Sequence, residues 1–160
     1  MQRLIAAAAG ALFAAVVQAH SPQAHGHGPN LDMVEKPFGR TGDPKKVTRT
    51  IDVEMLDTMR FKPDRITVRQ GDTVRLRVRN AGKVLHELVV GTDQELREHA
   101  ELMKKHPGME HDEPYMSHVD PGKRGEIVWQ FTQPGEFKFA CLIPGHFEAG
   151  MIGRITVTAR

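Results

Sequence analysis

Phe137-Lys138-Phe139-Ala140-Cys141-Leu142-Ile143-Pro144-Gly145-His146-Phe147-Glu148-Ala149-Gly150-Met151 reads as a strand that runs into a loop. Successive strand side chains point to opposite faces, so Phe137, Phe139 and Cys141 share the inward face and the thiol arrives at the strand end pointing into the domain. Pro144-Gly145 supplies a turn that folds His146 back toward that thiol. Met151 comes just before the last strand pattern and makes a third donor available from the same loop. Cys141 is the single cysteine of the 160-residue chain, which excludes an intramolecular disulfide and any metal site built on two or more thiolates.

The flanking sequence continues the strand pattern. In residues 48–55, Ile51, Val53 and Met55 alternate with polar neighbours, and Val74, Leu76 and Val78 alternate with Arg75, Arg77 and Arg79. Residues 85–90, 126–131, 136–141 and 154–158 follow, bounded by Gly, Pro, Asn or Asp, and this cadence predicts an all-β sandwich. One segment departs from it: Thr92-Asp93-Gln94-Glu95 is a capping box opening a helix through about Lys105, with Leu96, Ala100 and Met103 along one side. Pro107-Gly108 ends that helix, and residues 109–123 read as a long loop. The length suits one compact domain.

A thiolate, one imidazole and one thioether need a second imidazole to complete the trigonal site, with a weakly bound thioether, that suits copper in both oxidation states. His86 in Val84-Leu85-His86-Glu87-Leu88 is the best candidate, because alternation with Leu88 and Val90 turns it to the core side of an apolar strand. Zinc fits this donor set less well, since structural zinc usually takes more thiolates. A nucleophilic Cys141 with His146 as base lacks an orienting third residue and an oxyanion-hole signature.

Residues 47–160 resemble the cupredoxins, the small blue or green copper proteins. The resemblance is carried by the spacing Cys141-x4-His146-x4-Met151, preceded by Phe137-x-Phe139-Ala140 and followed by Gly153-x-Ile155-x-Val157. It implies a Greek-key β-sandwich holding one type 1 copper, with His86, Cys141 and His146 as equatorial ligands and Met151 as the axial one. Many family members carry Asn directly after the first His ligand, and here that position is Glu87. Multicopper oxidases and copper nitrite reductases place a histidine beside the ligand cysteine, whereas Cys141 lies between Ala140 and Leu142, so no enzymatic activity is expected.

Arg3, the apolar run 4–17 and the tripeptide Val17-Gln18-Ala19 read as a cleaved secretory signal over residues 1–19, too short an apolar run for a membrane anchor. The expected organisation is then a His-rich N-terminal tail over residues 20–46, with little regular structure, and a cupredoxin domain over residues 47–160. A formal net charge of +2 gives no surplus for holding nucleic acid or an anionic membrane. Nine His and eight Met are more than one copper site uses. His20, His25 and His27 lie in the tail, His99, Met103 and His106 share a helix face, and Met109, His111, Met116 and His118 continue into the loop. These are candidate accessory copper donors. They favour a periplasmic role in copper tolerance, by binding copper and converting Cu(I) to Cu(II), over the alternative of a soluble carrier shuttling electrons between periplasmic redox partners.

Overall fold

The computed structural model describes residues 33–107 and 112–160, all within one unit, Leu31–Arg160. In chain order the elements are β1 (Glu35–Lys36), β2 (Gly39–Thr41), a 3-10 turn (Pro44–Lys46), β3 (Arg49–Leu56), β4 (Arg60–Lys62), β5 (Arg65–Arg69), β6 (Thr73–Asn80), β7 (His86–Gly91), α1 (Asp93–Lys105), β8 (Met116–Val119), β9 (Arg124–Gln130), β10 (Gly135–Ala140) and β11 (Ile152–Thr158). They form two sheets, one in the order β1-β2-β9-β6-β3-β4 and the other β5-β11-β10-β7-β8. Most pairs are antiparallel, but β3 pairs parallel with β6, and β5 with β11. This is the all-β sandwich with one inserted helix that the strand cadence predicts. No helix among the described residues is long and apolar enough to cross a membrane.

The alternation in β6 shows why the strands form where they do. Val74, Leu76 and Val78 are buried between the sheets, while the arginines between them face outward. There Arg75 pairs with Glu126, Arg77 with Asp52 and Arg79 with Glu54, so the cationic face is matched by acids on β3 and β9. In β7 every residue is buried. Leu88 and Val90 enter the core between the sheets, and Val89 joins a second cluster with Leu96, Ala100 and Met103 of α1. The helix thus covers the outer face of the second sheet and removes the solvent side that would otherwise need polar residues. Its capping box is formed on both sides: Glu95 N donates to Thr92 Oγ1 at 3.2 Å, and Thr92 N donates to Glu95 Oε2 at 3.1 Å.

Two segments are more ordered than the sequence suggests. Residues 35–46, inside the expected tail, form two strands and a 3-10 turn. Phe38 is buried with its ring 5.1 Å from that of Trp129, whose Nε1 donates to Phe38 O at 3.2 Å. Strands this short cannot display an alternation, and Pro37, Gly39 and Pro44 look like punctuation alone; the buried Phe38 and the pairing of β2 with β9 hold the segment. Likewise β8 lies within the expected long loop and pairs with β7 through Glu87↔His118 and Val89↔Met116.

Candidate metal centre

The inner face of the second sheet ends in three donors. His86 opens β7 and is fully buried. Cys141 directly follows β10 and is also fully buried. Phe139, two residues before it, lies over Gly153, where a Cβ would come within 2.1 Å of the ring; only glycine lets β10 and β11 close there. His146 returns through a turn in which Gly145 has φ +90°, a conformation that other side chains resist, and His146 N donates to Ile143 O at 2.9 Å. The donor atoms of His86, Cys141 and His146 lie within 4.8 Å of one another, and Cys141 Sγ is 3.3 Å from His146 Nδ1.

The backbone closes the loop around these side chains. Met151 N donates to His146 O at 3.0 Å, and Cys141 N donates to Met151 O at 3.1 Å, so Met151 is tied to both neighbours while its side chain is fully buried. Arg60 Nη1 donates to Ala149 O at 3.0 Å and holds the loop from β4. Lys104 of α1 pairs with Glu148 at 2.7 Å and holds it from the other side.

Burial keeps the cluster's donors in their neutral forms. Burial pushes the Cys141 thiol up to about 12, with the nearby Glu87 charge adding to the rise and the Glu87 and Ile143 N–H groups opposing it. Burial, then the facing His86, lowers His146 and keeps its lone pair available at neutral pH. His86 Nδ1 is buried and has no hydrogen-bond partner. A buried polar nitrogen of this kind is costly unless something binds it. One sulfur and two imidazole nitrogens converging in a dry site, with a buried thioether on the same loop, fit copper; the incoming ion must displace the thiol proton.

Glu87 accounts for its departure from Asn. Its Oε1 accepts from Leu142 N at 2.8 Å, and its own N–H donates to Cys141 Sγ at 3.4 Å. The residue therefore joins the two ligand strands on both sides of the sulfur. Its second oxygen lies 2.7 Å from His118 Nε2. His118 on β8 supplies the partner that a buried carboxylate needs.

The other candidate donors are placed differently. Met103 and Met116 are buried in the apolar cluster under α1, 5% and 6% exposed, with Val89, Leu96 and Leu142. His99 is half-buried on α1, and His106 caps the helix with its side chain exposed. Among the described residues, His86, Cys141 and His146 are the one group of three or more His, Cys, Asp or Glu that could hold an ion. His20, His25, His27, Met109 and His111 lie outside the described residues, as does the expected signal at 1–19.

Two contributors escaped the sequence reading. Asn80, fully buried at the end of β6, donates through Nδ2 to Val84 O and Val119 O, each at 2.8 Å, and accepts from Gly82 N at 2.9 Å, shaping the loop that delivers His86. Asp57 lies 3.1 Å from His86 Nε2. A polar residue closing an apolar strand was the signal available for Asn80; Asp57 gave none.

Comparison with known proteins agrees with this geometry. The chain is 50% identical over 150 residues to the copper-resistant cuproprotein CopI of Rubrivivax gelatinosus, covering 92% of this chain and 91% of that protein. It is 36% identical over 177 residues to the copper-resistant cuproprotein CopI of Pseudomonas aeruginosa, with 92% and 91% covered. Auracyanin B shares the fold, with a TM-score of 0.63 at 22% identity over 78% of this chain and 99% of auracyanin B. The pattern of the copper binding proteins, plastocyanin/azurin family, matches residues 47–158. The chain belongs to this plastocyanin/azurin family, the cupredoxins, and copper is its cofactor.

Proposed function

We propose that His86, Cys141 and His146 hold one type 1 copper with Met151 as a weak fourth ligand, and that the protein acts in copper tolerance. The observation that carries this reading is the converging His86–Cys141–His146 cluster, in a chain whose relatives are named copper-resistant cuproproteins. Copper held there supplies one-electron exchange between Cu(I) and Cu(II). The protein's part is to keep one geometry for both states: the Met151 backbone bridges and the Arg60 and Lys104 anchors resist rearrangement of the loop. His146 is half-buried beside the exposed Pro144 and gives a partner redox protein its approach.

The location we assign is the periplasm, reached through cleavage of residues 1–19. His20, His25 and His27, with Met109 and His111, are the accessory copper donors that distinguish a tolerance protein from a plain carrier, and His99, His106 and His118 complete the imidazoles of this set. Met103 and Met116 belong to the accessory set only where packing under α1 opens. The test is growth of a copper-sensitive Gram-negative host that exports this chain. The wild-type chain is expected to raise the copper concentration tolerated and Cys141→Ser to lose that gain. Equal protection by both would leave the accessory donors as the protective element and contradict the role given to the centre.

A further inference from the structure

Asp57 sits in the turn between β3 and β4, outside the ligand loops. Its Oδ1 is 3.1 Å from His86 Nε2, and its Oδ2 accepts from Lys83 N at 2.7 Å. Gly82 packs so closely that a Cβ there would fall 1.8 Å from Oδ1. The carboxylate is therefore held in one orientation against the far edge of the His86 ring. The ring's other nitrogen, Nδ1, is buried and unpartnered, and His86 offers a donor within 4.8 Å of those of Cys141 and His146.

We propose that Asp57 is a positioning residue for the copper centre: its carboxylate fixes His86 as the Nε2–H tautomer, leaves Nδ1 as the donor, and biases the centre toward Cu(II). Two physical effects act in the same direction. A carboxylate on the outer N–H of a metal-binding imidazole fixes the ring and raises its basicity. A negative charge one ring away also stabilises the doubly charged ion more than the singly charged one. Both lower the reduction potential. The inference rests on the reading of His86 as a copper ligand, and it gives that reading a direction: the centre is built to hold the cupric state.

The experiment compares the full chain with Asp57→Asn, which keeps the size and one acceptor oxygen but removes the charge. Cu(II) affinity should fall about tenfold, within the range for outer partners of metal-binding histidines. Cu(I) affinity should change less, so the potential should rise, by about 59 mV for each tenfold of difference between the two. Equal losses in both affinities with an unmoved potential would reduce Asp57 to a structural prop and overturn the inference. Nitrogen-15 shifts of His86 in the metal-free wild-type chain are the second readout and do not depend on the variant folding. An Nε2–H tautomer is expected, and an Nδ1–H tautomer would overturn the proposal. If His86 signals fail to move when Cu(I) is added, the copper assignment falls with it, a result distinct from an unmoved potential in a chain that binds copper through His86.

Discussion

The two faces of the second sheet carry the same residue types and put them to different uses. On the inner face, His86 and Cys141 converge with His146, and Met151 is buried on the loop that joins Cys141 to β11. On the outer face, Met103 and Met116 pack among Val89, Leu96, Ala140 and Leu142, and His118 balances Glu87. Composition alone does not separate the two sets. What separates them is strand phase and what the donors face: His86, Cys141 and His146 bring their donor atoms within 4.8 Å of one another, with His86 Nδ1 buried and unpartnered, whereas the outer methionines face hydrocarbon. The lesson is that a His and Met surplus becomes a metal site only where strand ends and a loop make donor atoms converge.

The largest expected effect breaks the inner face. Cys141→Ser should abolish the intense thiolate-to-Cu(II) absorption in the visible while far-UV circular dichroism stays unchanged. A variant that kept the band would remove Cys141 from the centre.

The outer face is tested next. Met103→Ala should destabilise the fold by about 2–5 kcal/mol through loss of buried contacts and a residual cavity, read from urea unfolding, while the visible band persists. Loss of bound copper without loss of stability would move Met103 from packing to ligation. A smaller effect is expected where the faces meet. Glu87→Leu leaves the buried Leu142 N–H unpaired and should cost about 1–3 kcal/mol. It also releases the chain directly after Cys141, so the copper absorption maximum should shift, and a variant with both stability and spectrum unchanged would show that the Glu87 side chain joins nothing.

The smallest effect lies on the surface, at the start of α1. Asp93 pairs with Arg97 at 2.8 Å and with Lys138 of β10, and these partners hold its carboxyl at about 2 against an ordinary 3.8. A depressed folded value means that the pairing stabilises above the unfolded value and is lost as pH falls through the folded one. The difference in urea midpoint between wild type and Asp93→Asn should therefore be present at neutral pH and close between pH 4 and pH 2. A gap that widened on acidification would reverse the assignment. Because Asp93 and Arg97 are exposed and Lys138 is partly so, the gap should be slight and shrink with salt.

How much of this was legible in the sequence follows the reach of each signal. β3, β6, β7, β10 and β11 announce themselves by alternation, and α1 by a capping box whose residues are adjacent. The Cys141–His146–Met151 spacing was legible for the same reason, since one loop contains it. The strands β1, β2 and β8 have two to four residues and leave no period to read. Asp57 meets His86 across 29 positions and Asn80 meets Val119 across 39, contacts that only the assembled sandwich creates. Glu87 stood out as a departure, but its use of Leu142 N and His118 required the register of β7 with its neighbours.

The most direct test of the copper centre is a titration of the purified chain with Cu(II), followed by visible absorption and electron paramagnetic resonance. The account predicts that the first equivalent develops the intense thiolate-to-copper band, with any further copper adding only ordinary Cu(II) signal from accessory histidines. Copper that binds with the ordinary signal alone, and no visible band at any stoichiometry, would contradict it.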